Sequence, residues 1–415
     1  MTQIKAQTLK GFRDFLPKEA KKRQYTINIL RSVFESYGFE PLETPALEYE
    51  EILLGKYGEE GDKLMYRFED NGKRRVALRY DQTVPLARVI AQYQNELVMP
   101  FKRYQIQPVW RAENTQKGRF REFLQCDADI VGLDTPLTDA EAILVAAKSL
   151  EKLGFKNYKV SINDRSIFSK LNEQGYIKDG QLPTVLRSLD KIKKIGEDGV
   201  IKELQEKDFS LEVANAILQN AKAMQENDRL IKISDNLKKL GLSSNQFIFS
   251  PALARGLNYY TGLIFEIEID GYTAGSVCGG GRYDNLIGMF AGREIPAVGF
   301  AFGFDRLIEA MEQLNLFPAD LNTTTKVLVT IFSPELKEKS IEVSSRLRSN
   351  NVSTEIYLDE NAKMEKQLKY ADQKNIPYVL IIGPEEMEKD MVTVRDMKTR
   401  EQKTVPLTEV IEKLK

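Results

Sequence analysis

Eight residues, Arg255-Gly-Leu-Asn-Tyr-Tyr-Thr-Gly262, carry a guanidinium, two phenols and two glycines, and run directly into Leu-Ile-Phe-Glu-Ile-Glu-Ile. A cation beside two flat rings suits a small polar ligand that needs an anion clamp and planar walls. A decorated hairpin turn would carry the same residues. Further arginines, Arg111, Arg119, Arg121 and Arg306, stand within a few residues of carboxylates and aromatics. Histidine is absent from all 415 residues. That removes Ser-His-Asp and Cys-His catalysis, histidine-ligated zinc and an imidazole general base. Chemistry must then rest on Arg, Lys, carboxylates, Tyr and backbone amides. Such groups suit reactions whose substrates bring the nucleophile while the protein positions them and neutralises charge, as in phosphoryl and nucleotidyl transfer.

The remaining composition narrows the setting. Two cysteines, Cys126 and Cys278, cannot make a four-thiolate zinc site and read as small core residues in a reducing compartment. A chain that is 42% hydrophobic and 29% charged is a soluble globular protein, and its 415 residues predict two or three domains. With a formal net charge of −1, any nucleic-acid partner must be drawn by local basic patches. No apolar run approaches the roughly eighteen residues of a membrane span. The N-terminal segment has no apolar h-region. A cytoplasmic location without a membrane partner is expected.

The elements that must position the arginines follow from periodicity. Residues 18–37 read as an amphipathic helix with Ile27, Leu30, Val33, Phe34 and Tyr37 on one face, ended by Gly38. Residues 39–47 are extended, with Pro41 and Pro45 at an edge. Residues 66–80 read as a hairpin around Asn71-Gly72, and Asp81-Gln-Thr-Val-Pro opens a helix that Thr83 is expected to cap. Residues 100–113 and 119–132 read as two long antiparallel strands whose outward faces carry Arg111, Glu113, Arg119 and Arg121. A helix over 138–153 and a strand over 157–162 follow. Residues 164–245 turn Lys- and Glu-rich with helical periodicity, a helical insertion. Strands return at 247–250 and 262–270. The run Gly279-Gly-Gly-Arg-Tyr-Asp follows a turn; close backbone approach to a ligand explains three consecutive glycines better than a bare turn does. Ala297 to Leu307 is a strand with spaced glycines that runs into a helix, and 316–325 is a linker by composition. Beyond it, alternating strands and helices predict a self-contained α/β domain built on βαβ units.

Three ordered stretches resemble the signatures of class II aminoacyl-tRNA synthetases. They are the first helix with Gly38-Phe39 and Pro45; Trp110-Arg111-Ala112-Glu113 with Arg119, Phe123 and Asp127; and Gly299-Phe-Ala-Phe-Gly303-Phe-Asp-Arg306. Arg255 to Gly262 and Gly275-Ser-Val-Cys-Gly-Gly-Gly-Arg-Tyr-Asp are similar to the two histidine-specific stretches of the histidyl-tRNA synthetase family. The opening Lys10-Gly-Phe-Arg-Asp and the later Lys366-Gln-Leu-Lys-Tyr-Ala-Asp resemble the same family. The similarity spans essentially the whole chain and is least distinct in the insertion.

This resemblance implies a fold. Residues 1–325 would form an α+β catalytic domain, an antiparallel sheet flanked by helices, with the helical insertion at about 164–245. Residues 326–415 would form an α/β anticodon-binding domain. It implies ATP-dependent activation of histidine to histidyl-adenylate and transfer to the 3′ end of the histidine tRNA, with Mg²⁺ accompanying ATP. A homodimer is implied as well. Arg111 and Arg255 would be the catalytic cations over the α-phosphate and the amino-acid carboxylate. Asp81, Thr83 and Gln125 would hold the α-amino group, Asp129 would face the imidazole, and Tyr259, Tyr260 and Tyr283 would line its pocket. Glu113, Arg119, Arg121, Phe123 and Arg306 would join Arg111 around ATP, and Gln116 would lie near the tRNA acceptor end. No protein side chain is assigned to a metal.

Four positions depart from the common family pattern. Asn258 stands for Asp, Ala112 for the His of many bacterial members, Cys278 for Ala, and Tyr80-Asp-Gln-Thr83 follows the archaeal and eukaryotic-like form. Asp129 could instead be the structural partner of a buried arginine. Competing functions are a regulatory paralogue that binds histidine without catalysis, a tRNA-binding sensor, and a class II synthetase for another amino acid.

Overall fold

The structure is a computed structural model that describes residues 4–56, 58–114, 120–255, 259–319, 321 and 323–414. The strands in chain order are β1 Glu40–Pro41, β2 Leu47–Tyr49, β3 Arg67–Glu69, β4 Arg75–Leu78, β5 Phe101–Trp110 and β6 Glu122–Val131. They continue with β7 Tyr158–Asp164, β8 Phe247–Phe249, β9 Leu263–Ile269, β10 Cys278–Arg282 and β11 Ala297–Gly303. The last five are β12 Val327–Val329, β13 Thr354–Ile356, β14 Tyr378–Ile381, β15 Met391–Asp396 and β16 Gln402–Pro406. Internal packing divides the chain into two compact units. One comprises residues 1–14 and 23–316, the other residues 15–22 and 317–415.

The first unit is built on an eight-stranded sheet ordered β1-β5-β6-β11-β10-β9-β7-β8. Its six central strands pair antiparallel, and its two edge strands, β1 and β8, pair parallel with β5 and β7. Alternation in β6 separates two faces: Leu124, Cys126, Ala128 and Ile130 on one, Phe123, Gln125, Asp127 and Asp129 on the other. The apolar face continues across Phe300 and Phe302 of β11 and Phe265 and Ile267 of β9. The first helix, Pro17–Ser36, packs Phe34 against this face, with ring centres 6.0 Å from Phe300 and 5.6 Å from Tyr104. Cys126 and Cys278 lie within it as free, buried thiols, and burial pushes both pKa values well up.

Helices Thr83–Gln92 and Asp284–Ala291 enclose a second cluster that includes Ala77, Tyr80, Val84, Leu86, Tyr283 and Ile287. Within 164–245 the elements are helical, and the last, Asp228–Lys239, is capped by Asn227, which accepts the Leu230 amide at 2.9 Å.

Two local expectations are corrected, and the disfavoured bare turn at Gly279 to Gly281 is excluded. The 66–80 hairpin forms, but the left-handed residue is Lys73 (φ 59°), not Gly72. Asp70 stabilises it by accepting the Arg74 amide at 2.9 Å. Thr83 does not cap its helix; Asp81 does, its Oδ1 accepting the Val84 amide at 3.1 Å. Gly279, Gly280 and Gly281 are not a turn but the middle of β10, between β9 and β11.

The second unit has a five-stranded sheet ordered β13-β12-β14-β15-β16, parallel at β13-β12-β14 and antiparallel beyond. Strand β16 and the short helix Pro384–Glu388 went unread in the sequence. The strand is mostly exposed and polar, which leaves no hydrophobic period to recognise.

Candidate active site

The polar face of the large sheet is a floor whose register brings acidic and small residues opposite one another. Asp129 pairs with Gly299, Asp127 with Ala301 and Gln125 with Gly303 across β6 and β11. Gly281 and Gly279 of β10 pair in turn with Ile264 and Glu266 of β9. The glycines make room for side chains rather than for a ligand alone. A Cβ at Gly279 would lie 1.8 Å from Arg255 Nη1, one at Gly281 2.9 Å from the Tyr260 ring, and one at Gly299 1.8 Å from Asp129 Oδ1. Each small residue is therefore a seat for one functional group.

Two adjoining cavities rise from this floor. The larger, about 400 Å³, has Arg111, Glu113, Phe123, Arg255 and Arg306 in its wall. The smaller, about 240 Å³, is lined by Asp81, Thr83, Gln125, Asp129, Tyr259, Tyr260 and Tyr283. Arg111 and Arg255 line both.

Each cation is held from behind. Arg111 Nε donates to the Tyr80 carbonyl at 3.2 Å, and its guanidinium carbon is 4.3 Å from the Tyr80 ring centre and 5.1 Å from that of Phe123. Arg255 pairs with Glu266 at 3.0 Å. Burial opposes the charge of Arg255, but its surroundings, the Tyr260 ring 5.5 Å away and the Glu266 carboxylate, hold the guanidinium above its ordinary range. Arg306 donates to the Ser276 carbonyl at 3.0 Å.

The smaller cavity is a buried polar site. Tyr259 packs 4.9 Å from Tyr260 and 6.1 Å from Tyr283 between ring centres. Burial raises the pKa of all three, so they are neutral phenols that can donate or accept. Asp129 is at once the partner of a buried arginine and a pocket residue. It pairs with Arg103 at 2.7 Å and accepts the Tyr283 hydroxyl. Burial lifts the Asp129 pKa, against the pull of Arg103 and Tyr283.

Not every expected residue reaches a wall. Arg121 lines neither cavity; its Nε donates to the Glu113 carbonyl at 3.1 Å, so it supports the wall from outside. Arg111, Glu113 and Arg121 lie beyond the ends of β5 and β6 rather than on their faces. The hairpin base is instead locked by Trp110 Nε1 donating to Glu122 at 2.6 Å. Gln116, Arg119 and Asn258 lie outside the described residues.

Three lining carboxylates have no role implied by the resemblance. Glu266 and Asp305 face the larger cavity and Asp127 the smaller. Asp127 and Glu266 follow from period two, Asp127 from Gln125 and Asp129 beside it, Glu266 from the Phe-Glu-Ile-Glu alternation. Burial drives the Asp127 pKa well up; Arg103 opposes this, and Asp129 and Asp81 reinforce it. Among the described residues no group of three or more carboxylates and thiols gathers that could hold a metal ion.

Comparison with known proteins shows the family. A family model described as histidyl-tRNA synthetase matches residues 11–307, and one described as an anticodon binding domain matches residues 326–415. The histidine–tRNA ligase of Cytophaga hutchinsonii is 39% identical, covering 98% of each chain. That of Gloeobacter violaceus is 40% identical, covering 96% of each. The crystal structure of histidyl-tRNA synthetase from Nostoc superimposes with a TM-score of 0.86 at 30% identity, over 99% of both chains. The chain belongs to the histidyl-tRNA synthetase family.

Proposed function

We propose that this chain is a histidine–tRNA ligase that activates histidine with ATP and transfers it to the 3′ end of the histidine tRNA. The observation that carries the reading is the meeting of the two cavities at Arg111 and Arg255. Histidine occupies the smaller cavity. Asp81, Thr83 and Gln125 take its α-ammonium, and Asp129, Tyr259, Tyr260 and Tyr283 surround its imidazole. A neutral imidazole has one donor and one acceptor, so a site of carboxylate and phenols satisfies both. An apolar analogue would leave these groups unpaired, which gives strong discrimination.

ATP occupies the larger cavity, with adenine on the Phe123 face away from Arg111, Glu113 beside the base and Arg306 toward the γ-phosphate. Mg²⁺ would enter with the nucleotide's own phosphates; of the cavity carboxylates, Glu266 is already paired with Arg255, and Asp305 with Arg13 and Arg23. Arg111 and Arg255 bring two anions together against their repulsion and stabilise the charge that develops between them. A histidine carboxylate oxygen attacks the α-phosphorus, the bond to the bridging oxygen breaks, and pyrophosphate leaves. A terminal hydroxyl of the tRNA then attacks the carbonyl carbon and AMP departs. The hydroxyl proton passes to a phosphate oxygen of the adenylate, because the chain has no imidazole to take it.

Residues 326–415 bind the anticodon arm, Gln116 meets the acceptor end, and the assembly is a cytoplasmic homodimer. The regulatory and sensor readings would dispense with the nucleotide arginines, whereas a cavity lined by Arg111, Arg255 and Arg306 together supports a catalytic reading. Charging of histidine tRNA with labelled histidine tests the function. Product that depends on both ATP and histidine is expected, and none under any condition overturns it.

A further inference from the structure

The larger cavity contains a carboxylate that a polyphosphate site would not be expected to tolerate. Asp305 lines it, in the first turn of the helix Phe304–Gln313 and immediately before Arg306. An ionised carboxylate there would repel the nucleotide. Each of its oxygens, however, is held by an arginine from the N-terminal part of the chain. Arg13 Nη2 is 2.6 Å from Oδ2 and Arg23 Nη1 is 2.8 Å from Oδ1.

Arg13 has a second attachment to the same cavity. Its guanidinium carbon lies 3.2 Å over the centre of the Phe120 ring, and Phe120 is also part of the wall. The segment that carries Arg13 is fixed at three further points. The Phe12 amide donates to Leu9 at 3.0 Å, the Gly11 carbonyl accepts the Arg121 amide at 2.9 Å, and the Phe12 ring sits 6.3 Å from that of Tyr66. One planar cation thus ties the wall before β6 to the wall that presents Arg306.

We propose that Arg13 is a positioning residue for the nucleotide, neutralising Asp305 and holding Phe120 so that the wall beside Arg306 accepts a polyphosphate. The role rests on the reading of this cavity as the ATP site. A simple tether of the N-terminal segment would produce the same contacts, so the test must separate electrostatic positioning from folding. Histidine- and ATP-dependent pyrophosphate exchange by the full chain does so. Arg13→Ala is expected to raise KM for ATP about tenfold, as for loss of one charge-assisted contact. KM for histidine should stay within about twofold, because Arg13 is on the nucleotide side only.

With Asp305→Asn in the background there is no carboxylate to neutralise, and the effect of Arg13→Ala should shrink to about threefold or less, by the logic of a double-mutant cycle. If Arg13→Ala does not fold, Arg13→Gln carries the same comparison. An equal rise in both KM values, or an effect undiminished by Asp305→Asn, would overturn the role. A normal wild type with an unchanged ATP KM in the variant sinks the Arg13 role alone. A wild type without exchange sinks the reading of the site instead.

Discussion

Arg103 and Asp129 form an ion pair 2.7 Å long in which neither side chain is more than 4% exposed, and Asp129 turns its other oxygen to the Tyr283 hydroxyl. The pair stands directly opposite across β5 and β6, so the backbone register itself places the charge beneath the pocket. Removing the cation leaves a buried carboxylate with only a phenol. Arg103→Met should therefore cost about 3–5 kcal/mol in urea unfolding. A loss below about 1 kcal/mol would mean that the pair does not carry the buried charge.

The glycine seats of β10 predict two different failures from neighbouring substitutions. Gly279→Ala places a methyl 1.8 Å from the Arg255 guanidinium, which must move. A displacement of about 1 Å at the cation proposed to act on the reacting groups costs on the order of a hundredfold in rate. Exchange kcat should fall by that order while the melting temperature changes little. Gly280→Ala meets the Gly299 carbonyl at 2.3 Å and Phe300 on the core side. Its defect should appear as lost stability first.

Asp127 sets a pH dependence of stability. Its folded pKa is raised, chiefly by burial, above the unfolded value of about 3.9. The folded state therefore holds this proton more tightly than the unfolded chain. The stability that it contributes is fully present below the unfolded pKa and is lost as pH rises through the folded value. Asp127→Asn should stabilise the ligand-free protein at pH 7 relative to wild type, with the advantage shrinking as pH falls toward 4. Thermal melts across that range test it. An advantage that does not change with pH would contradict the assignment.

The absence of histidine makes the substrate visible. The only imidazole in a complex of this chain with histidine belongs to the ligand. Nuclear magnetic resonance of ring-labelled histidine should show a neutral bound imidazole at pH 7 with one protonated nitrogen. The free substrate, whose reference pKa is about 6.5, should show its own titration in the same spectra. A doubly protonated ring at pH 7 would contradict the donor–acceptor account of Asp129 and the phenols.

Part of this geometry is legible in the residues. The alternation of Leu263 to Ile269 emerges as β9, and Arg111, Arg255 and Arg306, which the resemblance names, all line one cavity. What stayed hidden depended on pairing between distant strands. Three glycines have poor strand propensity, and only β9 and β11 on either side make Gly279 to Gly281 a strand. Asp127 lay inside a recognised motif, and period two puts it on one face with Gln125 and Asp129, but the small partner Ala301 that leaves room above it belongs to a distant strand. Arg13 and Asp305 are far apart in sequence, and no periodicity links them.

Amino-acid-dependent ATP–pyrophosphate exchange, run on the purified chain with each of the twenty amino acids, tests the central claim most directly. Histidine alone should support exchange, and Arg255→Ala should reduce its kcat by about a hundredfold or more. Exchange with another amino acid, or none with histidine, would contradict the account.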